Sequence, residues 1–248
     1  LSQSPYVLKR LGLVAGNDKG DLMLDKVGTR AEALTLFISM QGEQDEARAV
    51  DYSYPFTDIP DWFHWCAGYG VFRSYTSGIS ATKFGSFDTV TPEQYMTFTL
   101  KALDYKCGED FIWDRSLDKA IEVGLCTRAQ ANAWKNGQFR RQEIMEISYL
   151  ALNTKVKGSN STLTDKLIAK GKITTEQARQ ESLTFGTAYQ AQQEQNNASP
   201  ITCTNVPDGS YELHSAANNS VMTASANKQA MISLAADKDG ADQQFTFV

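Results

Sequence analysis

The clearest pattern of apolar and polar positions spans residues 24–38, where a polar loop leads into an amphipathic helix. One face of that helix carries four apolar residues, Ala33, Leu34, Phe37 and Ile38. A capping box precedes them, because Thr29 can accept a hydrogen bond from an early helical N–H and Glu32 can accept one from the N–H of Thr29. The pattern predicts a helix that packs against another element. A first helix is expected before it, at 4–13, and a solvated connection after it, at 41–51.

A second unit with the same order of elements begins at Phe56. A helix is predicted at 61–72, with three aromatic residues on one apolar side, Trp62, Trp65 and Tyr69. A glycine-containing loop then reaches a second capping box, formed by Thr91 and Gln94, with Pro92 at the first helical position. We expect the helix behind this cap to include residues 95–103.

A third unit follows, with helices predicted at 111–125 and 139–150. Arg140 stands where the other units have a capping threonine, so the start signal of its second helix is weaker. Thr127 and Gln130 form a further capping box between the two helices. Few residues separate that box from the next turn signal, so we predict only an extra turn in the loop there.

The three capping positions set the spacing of a repeat. Thr29 and Thr91 lie 62 positions apart, and Thr91 and Arg140 lie 49 positions apart. Such a period is typical of units that bury their apolar faces against one another. We therefore predict a mainly α fold in which residues 1–153 form three repeats, at about 4–50, 56–106 and 111–153.

The pattern changes after residue 153. Two helical patterns, at 162–170 and 174–189, predict a helical extension over 154–190, and the Gln-, Asn- and Ala-rich stretch 191–206 is typical of a linker. A period of two then predicts a small C-terminal all-β segment over 207–248. Its four expected strands are 209–215, 220–223, 231–235 and 243–248.

Composition and charge exclude several functions. The 248 residues have a net charge of -5 and no basic run, so we expect no nucleic-acid partner, and no apolar run is long enough for a membrane span. The four cysteines lie far apart without a CxxC pair, so we predict reduced core residues and no metal site. His64 and Cys66 stand two apart on a predicted helix and point to different sides. We predict a protein with no cofactor and no catalytic residues, that is, not an enzyme.

Residues 4–153 resemble the S-layer homology (SLH) domains of bacterial envelope proteins. The segment 56–62 (FTDIPDW) fits that family, and 29–32 (TRAE) matches its hallmark tetrapeptide letter for letter. The other copies depart from it, since 91–94 (TPEQ) has no arginine and 140–143 (RRQE) has no threonine. The resemblance implies a three-repeat helical pseudo-trimer. It also implies non-covalent attachment to anionic, often pyruvylated, cell-wall polysaccharide.

Candidate ligand residues follow from the resemblance and from chemistry. Arg30 and its counterpart Arg141 could pair bidentately with an acid group of the glycan. Trp62 could stack on a sugar ring, although an aromatic residue at helical spacing is more often core, and Lys83 is a weaker cationic candidate. Arg30 could equally form a structural ion pair. The alternatives differ in whether Arg30 and Arg141 line an uncompensated positive groove or are each paired with a carboxylate.

The C-terminal residues 211–248 resemble one lobe of a ricin-type β-trefoil lectin, with Gln243-Gln244-Phe245 in place of the Gln-x-Trp that closes such lobes. Together the resemblances imply a secreted, surface-attached bacterial protein that binds cell-wall (secondary) polysaccharide without catalysis. The alternative is a structural or assembly protein of the cell envelope, whose degenerate repeats pack on other envelope proteins and bind no glycan.

Overall fold

The computed structural model describes residues 3–184 in full and, further along, the backbone of three strands. The chain divides into two compact parts, an N-terminal part over 1–187 and a C-terminal part over 188–248. In the N-terminal part the described residues are mainly helical, with a few isolated β-bridges and no strand. No helix within the described part is long and apolar enough to span a membrane.

The described residues of the N-terminal part form ten α-helices and two short 3₁₀ turns. The turns are Asp61–Phe63 and Trp113–Arg115. The helices are α1 (Ser4–Arg10), α2 (Arg30–Met40), α3 (Gln44–Ala49), α4 (His64–Phe72), α5 (Pro92–Ala102), α6 (Ser116–Glu122), α7 (Arg128–Asn136), α8 (Arg141–Leu152), α9 (Leu163–Ala169) and α10 (Thr175–Gln180).

The predicted capping boxes are present. Thr29 Oγ1 accepts from the N–H of Glu32 at 3.3 Å, and Glu32 accepts from the N–H of Thr29 at 3.0 Å. Thr91 and Gln94 exchange the same pair of bonds at 3.2 Å each. Arg140 keeps half of the box, since its N–H donates to Glu143 at 2.8 Å. These bonds satisfy helix-end N–H groups that would otherwise be unpaired.

Each of the three second helices packs against the first helix of another predicted repeat. α4 contacts α2, α6 contacts α5, and α1 contacts α8. α5 in turn contacts both α2 and α8, and the residues between these helices form one continuous apolar core. Large side chains with almost no exposure include Phe37, Tyr69, Tyr95 and Ile147. Burial of these faces stabilises the fold by about 25 cal/mol per Å² of apolar surface.

Backbone hydrogen bonds link the start of one helix to the loop before another. The N–H of Arg30 donates to the carbonyl of Asp88 at 2.9 Å, and the N–H of Arg141 donates to the carbonyl of Lys26 at 2.8 Å. In both cases the acceptor lies three residues before a capping threonine. α5 cannot make the matching bond, because its first residue is Pro92, which has no N–H.

Lysine side chains attach the helical extension to the core. Lys166 donates to the carbonyl of Ala102 at the end of α5, and Lys170 donates at 2.7 Å to the carbonyl of Gln41 just after α2. Cations at these positions complement the negative ends of the two helices. An ion pair between Arg10 and Glu181 joins α1 to the residue after α10.

Several predicted helix boundaries were wrong. The box at Thr127 begins a full nine-residue helix, α7, whose Trp134 is buried. The stretch expected to be a solvated connection contains α3, with Ala47 buried in the core. Trp62 lies in a 3₁₀ turn and is 50% exposed, unlike Trp65 and Tyr69. Packing between units decided these outcomes, because sequence periodicity reports only on one helix at a time.

Three further helices are shorter than predicted. α1 ends at Arg10 because Gly12 takes φ +73°, a left-handed conformation typical of a helix end. The predicted helix at 111–125 consists of a 3₁₀ turn followed by α6. α10 ends at Gln180, and residues 185–189 of the predicted helix lie outside the described part.

The C-terminal part contains an antiparallel sheet of the strands β1 (Gly209–Ser215), β2 (Val221–Ala226) and β3 (Phe245–Phe247), in the order β2-β1-β3. Gly209 pairs with Ala226, and Leu213 pairs with Phe247. The fourth predicted strand, 231–235, lies outside the described residues. The all-β segment and its likeness to a trefoil lobe stay predictions.

Candidate functional site

Arg30 is the first residue of α2, and its side chain reaches the loop of the second unit. Its Nε donates to the carbonyl of Phe84 at 3.2 Å, and the guanidinium lies 5.1 Å from the centre of the Phe84 ring. The capping box of Thr29 fixes the start of the helix behind it. These contacts hold a half-buried cation where the first predicted repeat meets the second.

The carboxylate of Asp58 shapes the loop that receives Arg30. It accepts backbone N–H bonds from Phe84 and Gly85, each at 2.8 Å, and from Ser86 at 3.4 Å. Gly85 has φ +78°, a conformation that side chains other than glycine rarely adopt. Burial alone would raise the pKa of Asp58, but the three N–H donors outweigh it and the pKa is lowered.

The charge of Arg30 is only partly balanced. Burial lowers the pKa of its guanidinium, and the nearby carboxylates of Asp88 and Asp58 act in the opposite direction. Asp88 is exposed, and Asp58 is already engaged by backbone donors. Within the described residues Arg30 forms no ion pair within 4.0 Å, whereas several other arginines do, including Arg10, Arg73, Arg115 and Arg141. A guanidinium in this position can still bind an oxyanion.

Arg141 is in a different state. Its Nη1 pairs with the carboxylate of Glu32, and only 14% of its side chain is exposed. Its Nε is buried without a hydrogen-bond partner in the described part of the chain. The cation of Arg141 is therefore already compensated by Glu32 of the first unit.

The difference between Arg30 and Arg141 follows from one position. Arg141 bonds the loop of the first unit and pairs with the third residue of that unit's helix, Glu32. Arg30 bonds the loop of the second unit, where the third helical residue is the uncharged Gln94. The matching arrangement therefore offers a carboxylate to Arg141 and none to Arg30.

The other two predicted ligand residues lie near Phe84. Lys83 precedes it and is exposed. The ring of Trp62 contacts that of Phe63 at 5.4 Å between centroids, and the ring of Phe63 contacts that of Phe84 at 5.2 Å. The structure thus links Arg30 and Trp62 through one aromatic cluster, and Lys83 is the chain neighbour of Phe84 in that cluster. The guanidinium of Arg141 is paired with Glu32 instead.

No local pattern in the sequence pointed to Phe84 or to the second role of Glu32. Capping accounts fully for Glu32, and its pairing with Arg141 crosses 109 positions. Phe84 contributes a main-chain carbonyl, which any residue carries. Both roles depend on how the units meet, and sequence reasoning therefore missed them.

No cysteine pairs with His64 to form a thiol–imidazole pair within the described part of the chain. Burial raises the pKa of the Cys66 thiol to about 12, and its sulfur accepts a hydrogen bond from the hydroxyl of Thr35 at 3.5 Å. Cys66, Cys107 and Cys126 are free thiols, but Cys107 is exposed, so its predicted core position was wrong. Cys203 lies outside the described residues. No cluster of His, Cys, Asp or Glu suited to a metal ion occurs among the residues searched in the described part.

Comparison with known proteins points to the bacterial envelope. The chain is 31% identical over 121 residues to the middle cell wall protein of Brevibacillus brevis, and 30% identical over 121 residues to the surface layer protein of Brevibacillus choshinensis. Both relatives are wall or surface-layer proteins. The match covers 48% of this chain but only 12% and 11% of theirs. No family model matches the chain, so the resemblance to SLH domains stays a prediction.

Proposed function

We propose that this chain has a structural role in the bacterial cell envelope, at the cell wall or surface, and attaches there non-covalently to anionic wall polysaccharide. Its similarity over half its length to a cell wall protein and a surface layer protein supports the location. Neither of their names describes an enzyme, which fits a non-catalytic protein. The attachment itself rests on the Arg30 site.

The single observation that carries the proposal is the unpaired guanidinium of Arg30. It is held by the Phe84 carbonyl and ring, and no carboxylate of the described residues lies within ion-pair distance. A carboxylate of the glycan would supply the missing partner through a bidentate pair, while Lys83 adds positive charge and Trp62 offers an exposed ring. Arg141 contributes little to binding in this proposal, because Glu32 already occupies it.

The proposed domain organisation is a pseudo-trimer of three repeats over 1–153, extended by 154–190, a linker at 191–206 and a trefoil-like lobe at 207–248. Two regularities support the pseudo-trimer. Each second helix packs on the first helix of another repeat, and the backbone bonds of Arg30 and Arg141 occupy matching positions. The proline at position 92 interrupts the same pattern in the second repeat.

A second candidate is an assembly protein whose repeats pack on other envelope proteins and bind no glycan. The ion pair between Arg141 and Glu32 favours it, because it shows one hallmark arginine already used within the fold. In that case Arg30 would serve only to join α2 to the second unit.

The test is retention of the chain on purified Gram-positive cell-wall sacculi, before and after mild acid removes the secondary polysaccharide. We expect retention by untreated walls only, and a clear loss for Arg30→Ala. Arg128→Ala is the matched control, since Arg128 is an exposed arginine at the first position of another helix. Retention that survives acid treatment, or that ignores Arg30, would contradict glycan attachment and favour the assembly role.

A further inference from the structure

A second surface of the chain, the cleft in front of Trp113, has a different chemistry from the Arg30 site. It has a volume of about 620 Å³ and lies where α5 begins, facing the 3₁₀ turn Trp113–Arg115 and helices α6 and α7. Its principal lining residues are Glu93, Trp113, Asp114, Arg115, Asp118 and Lys135. A volume of this size can hold a sugar unit, and polar groups line it.

The walls of this cleft are fixed by helix ends. Ser116 is fully buried, and its hydroxyl donates to the carbonyl of Glu93 at 2.9 Å, which ties the start of α6 to α5. α7 closes the other side, anchored by the buried Trp134. A site built in this way is largely pre-formed, as ligand sites usually are.

An indole ring stands open at the cleft. Trp113 is 58% exposed, whereas Trp65 and Trp134 are buried. No ring contact is found for Trp113 among the described residues. A flat, exposed aromatic face beside hydroxyl-binding groups is suited to the apolar face of a pyranose.

The charges of the cleft disfavour an acidic ligand. Three carboxylates face two cations, and both cations are already paired. Arg115 lies 3.1 Å from Asp118, and Lys135 lies 3.8 Å from Glu93. The carboxylate of Asp114 has no hydrogen bond or ion pair within the described part of the chain. The first position of α5 holds Pro92, so this unit supplies no cation where α2 supplies Arg30.

We infer that the cleft binds an uncharged pyranose unit of a polysaccharide, stacked on Trp113 and hydrogen-bonded through its hydroxyl groups to Asp114. The choice of a glycan as ligand rests on the proposed function, but the site and its preference for an uncharged sugar do not involve Arg30. The chain would then contact two chemically different parts of a glycan, one acidic and one neutral.

The test follows the indole N–H signals of the full chain by NMR during titration with chitotetraose, which is uncharged, and with a hyaluronan tetrasaccharide, which carries carboxylates. Trp113→Ala identifies the signal of Trp113. We expect that signal to move with chitotetraose at a Kd on the order of 1 mM. Asp114→Ala should weaken the binding about tenfold, a change of about 1.4 kcal/mol. Ile112→Ala is the control, because Ile112 is as exposed as Trp113 and its loss should leave the binding unchanged.

Two results would overturn the inference. One is the absence of any shift of Trp113 with chitotetraose, mannotetraose and maltotetraose. The other is hyaluronan binding that equals or exceeds that of chitotetraose at low salt. Arg30→Ala separates this site from the proposed function. It should clearly reduce retention on sacculi and leave the Trp113 titration unchanged, so either claim can fail without the other.

Discussion

The guanidinium of Arg141 is paired with the carboxylate of Glu32, a residue that also closes the capping box of α2. One glutamate thus serves the helix start of the first unit and the arginine of the third. The equivalent position in the second unit is Gln94, which closes its own capping box without a charge. Within the described residues Arg141 has an ion-pair partner and Arg30 has none, and this difference leads to the first two predictions.

Arg141→Ala should lower the free energy of unfolding by about 1–3 kcal/mol, because it leaves the partly buried carboxylate of Glu32 without its partner. Urea unfolding measures this change. Arg128→Ala is the control, since its exposed contact with Asp118 should contribute little. If the two variants are equally stable, the pair at Arg141 is not a structural contact of any weight.

Gln94→Glu should place a carboxylate at the position in α5 that corresponds to Glu32 in α2. We expect this carboxylate to pair with Arg30, as Glu32 pairs with Arg141, and so to compensate the charge of Arg30. Glutamate also suits the capping box, so we expect unchanged or slightly higher stability. Retention on sacculi should fall as strongly as in Arg30→Ala. Gln130→Glu makes the same change in the capping box of α7 and should retain normal binding. Full retention by Gln94→Glu would contradict the proposed role of Arg30.

Asp58→Ala should affect both folding and binding, because the carboxylate satisfies the N–H groups of Phe84, Gly85 and Ser86. We expect a loss of about 2–4 kcal/mol of stability and weaker retention on sacculi. Asp88→Ala is the control for general loss of charge near Arg30, since Asp88 is exposed. A variant that loses no stability would mean that the loop keeps its shape without Asp58.

Stability should fall at alkaline pH. Burial raises the pKa values of Tyr69, Tyr75 and Tyr95 well above their usual range, and the carboxylate of Glu43 adds to the effect on the first two. The unfolded chain ionises its tyrosines near pH 10, so it binds fewer protons than the folded chain above that pH. The stabilisation is complete below about pH 10 and decreases above it, by up to about 1.4 kcal/mol per pH unit for each tyrosine.

Urea midpoints measured between pH 8 and pH 11 (about the span over which tyrosine ionises), together with tyrosinate absorbance, test this expectation. Tyr95→Phe should reduce the slope above pH 10, although it also removes the hydrogen bond to Ser148. Exposed Tyr6 provides a control variant that should leave the slope unchanged. A flat stability profile through pH 11 would contradict the burial of these hydroxyl groups.

Trp134→Ala should destabilise the protein by about 3–5 kcal/mol, as expected for a large side chain removed from a core. Trp134 is 3% exposed and anchors α7. Trp62→Ala, at a site that is 50% exposed, should change stability by less than about 0.5 kcal/mol. The pair is measured by chemical denaturation. Similar losses for the two variants would mean that α7 does not contribute to the core.

The sequence by itself determined the local features of this protein. Thr29 with Glu32 and Thr91 with Gln94 predicted where α2 and α5 begin, because a cap uses only residues three apart. The mainly helical character of the N-terminal part followed from the same local patterns. The box at Thr127 was recognised too, but its strength was underestimated, since the burial of Trp134 depends on α5 and α6 and not on α7 alone.

The tertiary structure decided which arginine is paired with a carboxylate. Arg30 and Arg141 occupy the same position in their helices, and no local pattern separates them. Their difference arises between repeats, because Glu32 pairs with Arg141, whereas the third helical residue of the second repeat is the uncharged Gln94. Trp62 and Trp113 are exposed for the same kind of reason, since burial is set by what packs on a helix face. The pair of Arg141 with Glu32 joins residues 109 positions apart, and the bond of Arg30 to Phe84 joins residues 54 apart. Chain folding brings such groups together, and their separation in sequence carries no information about their distance.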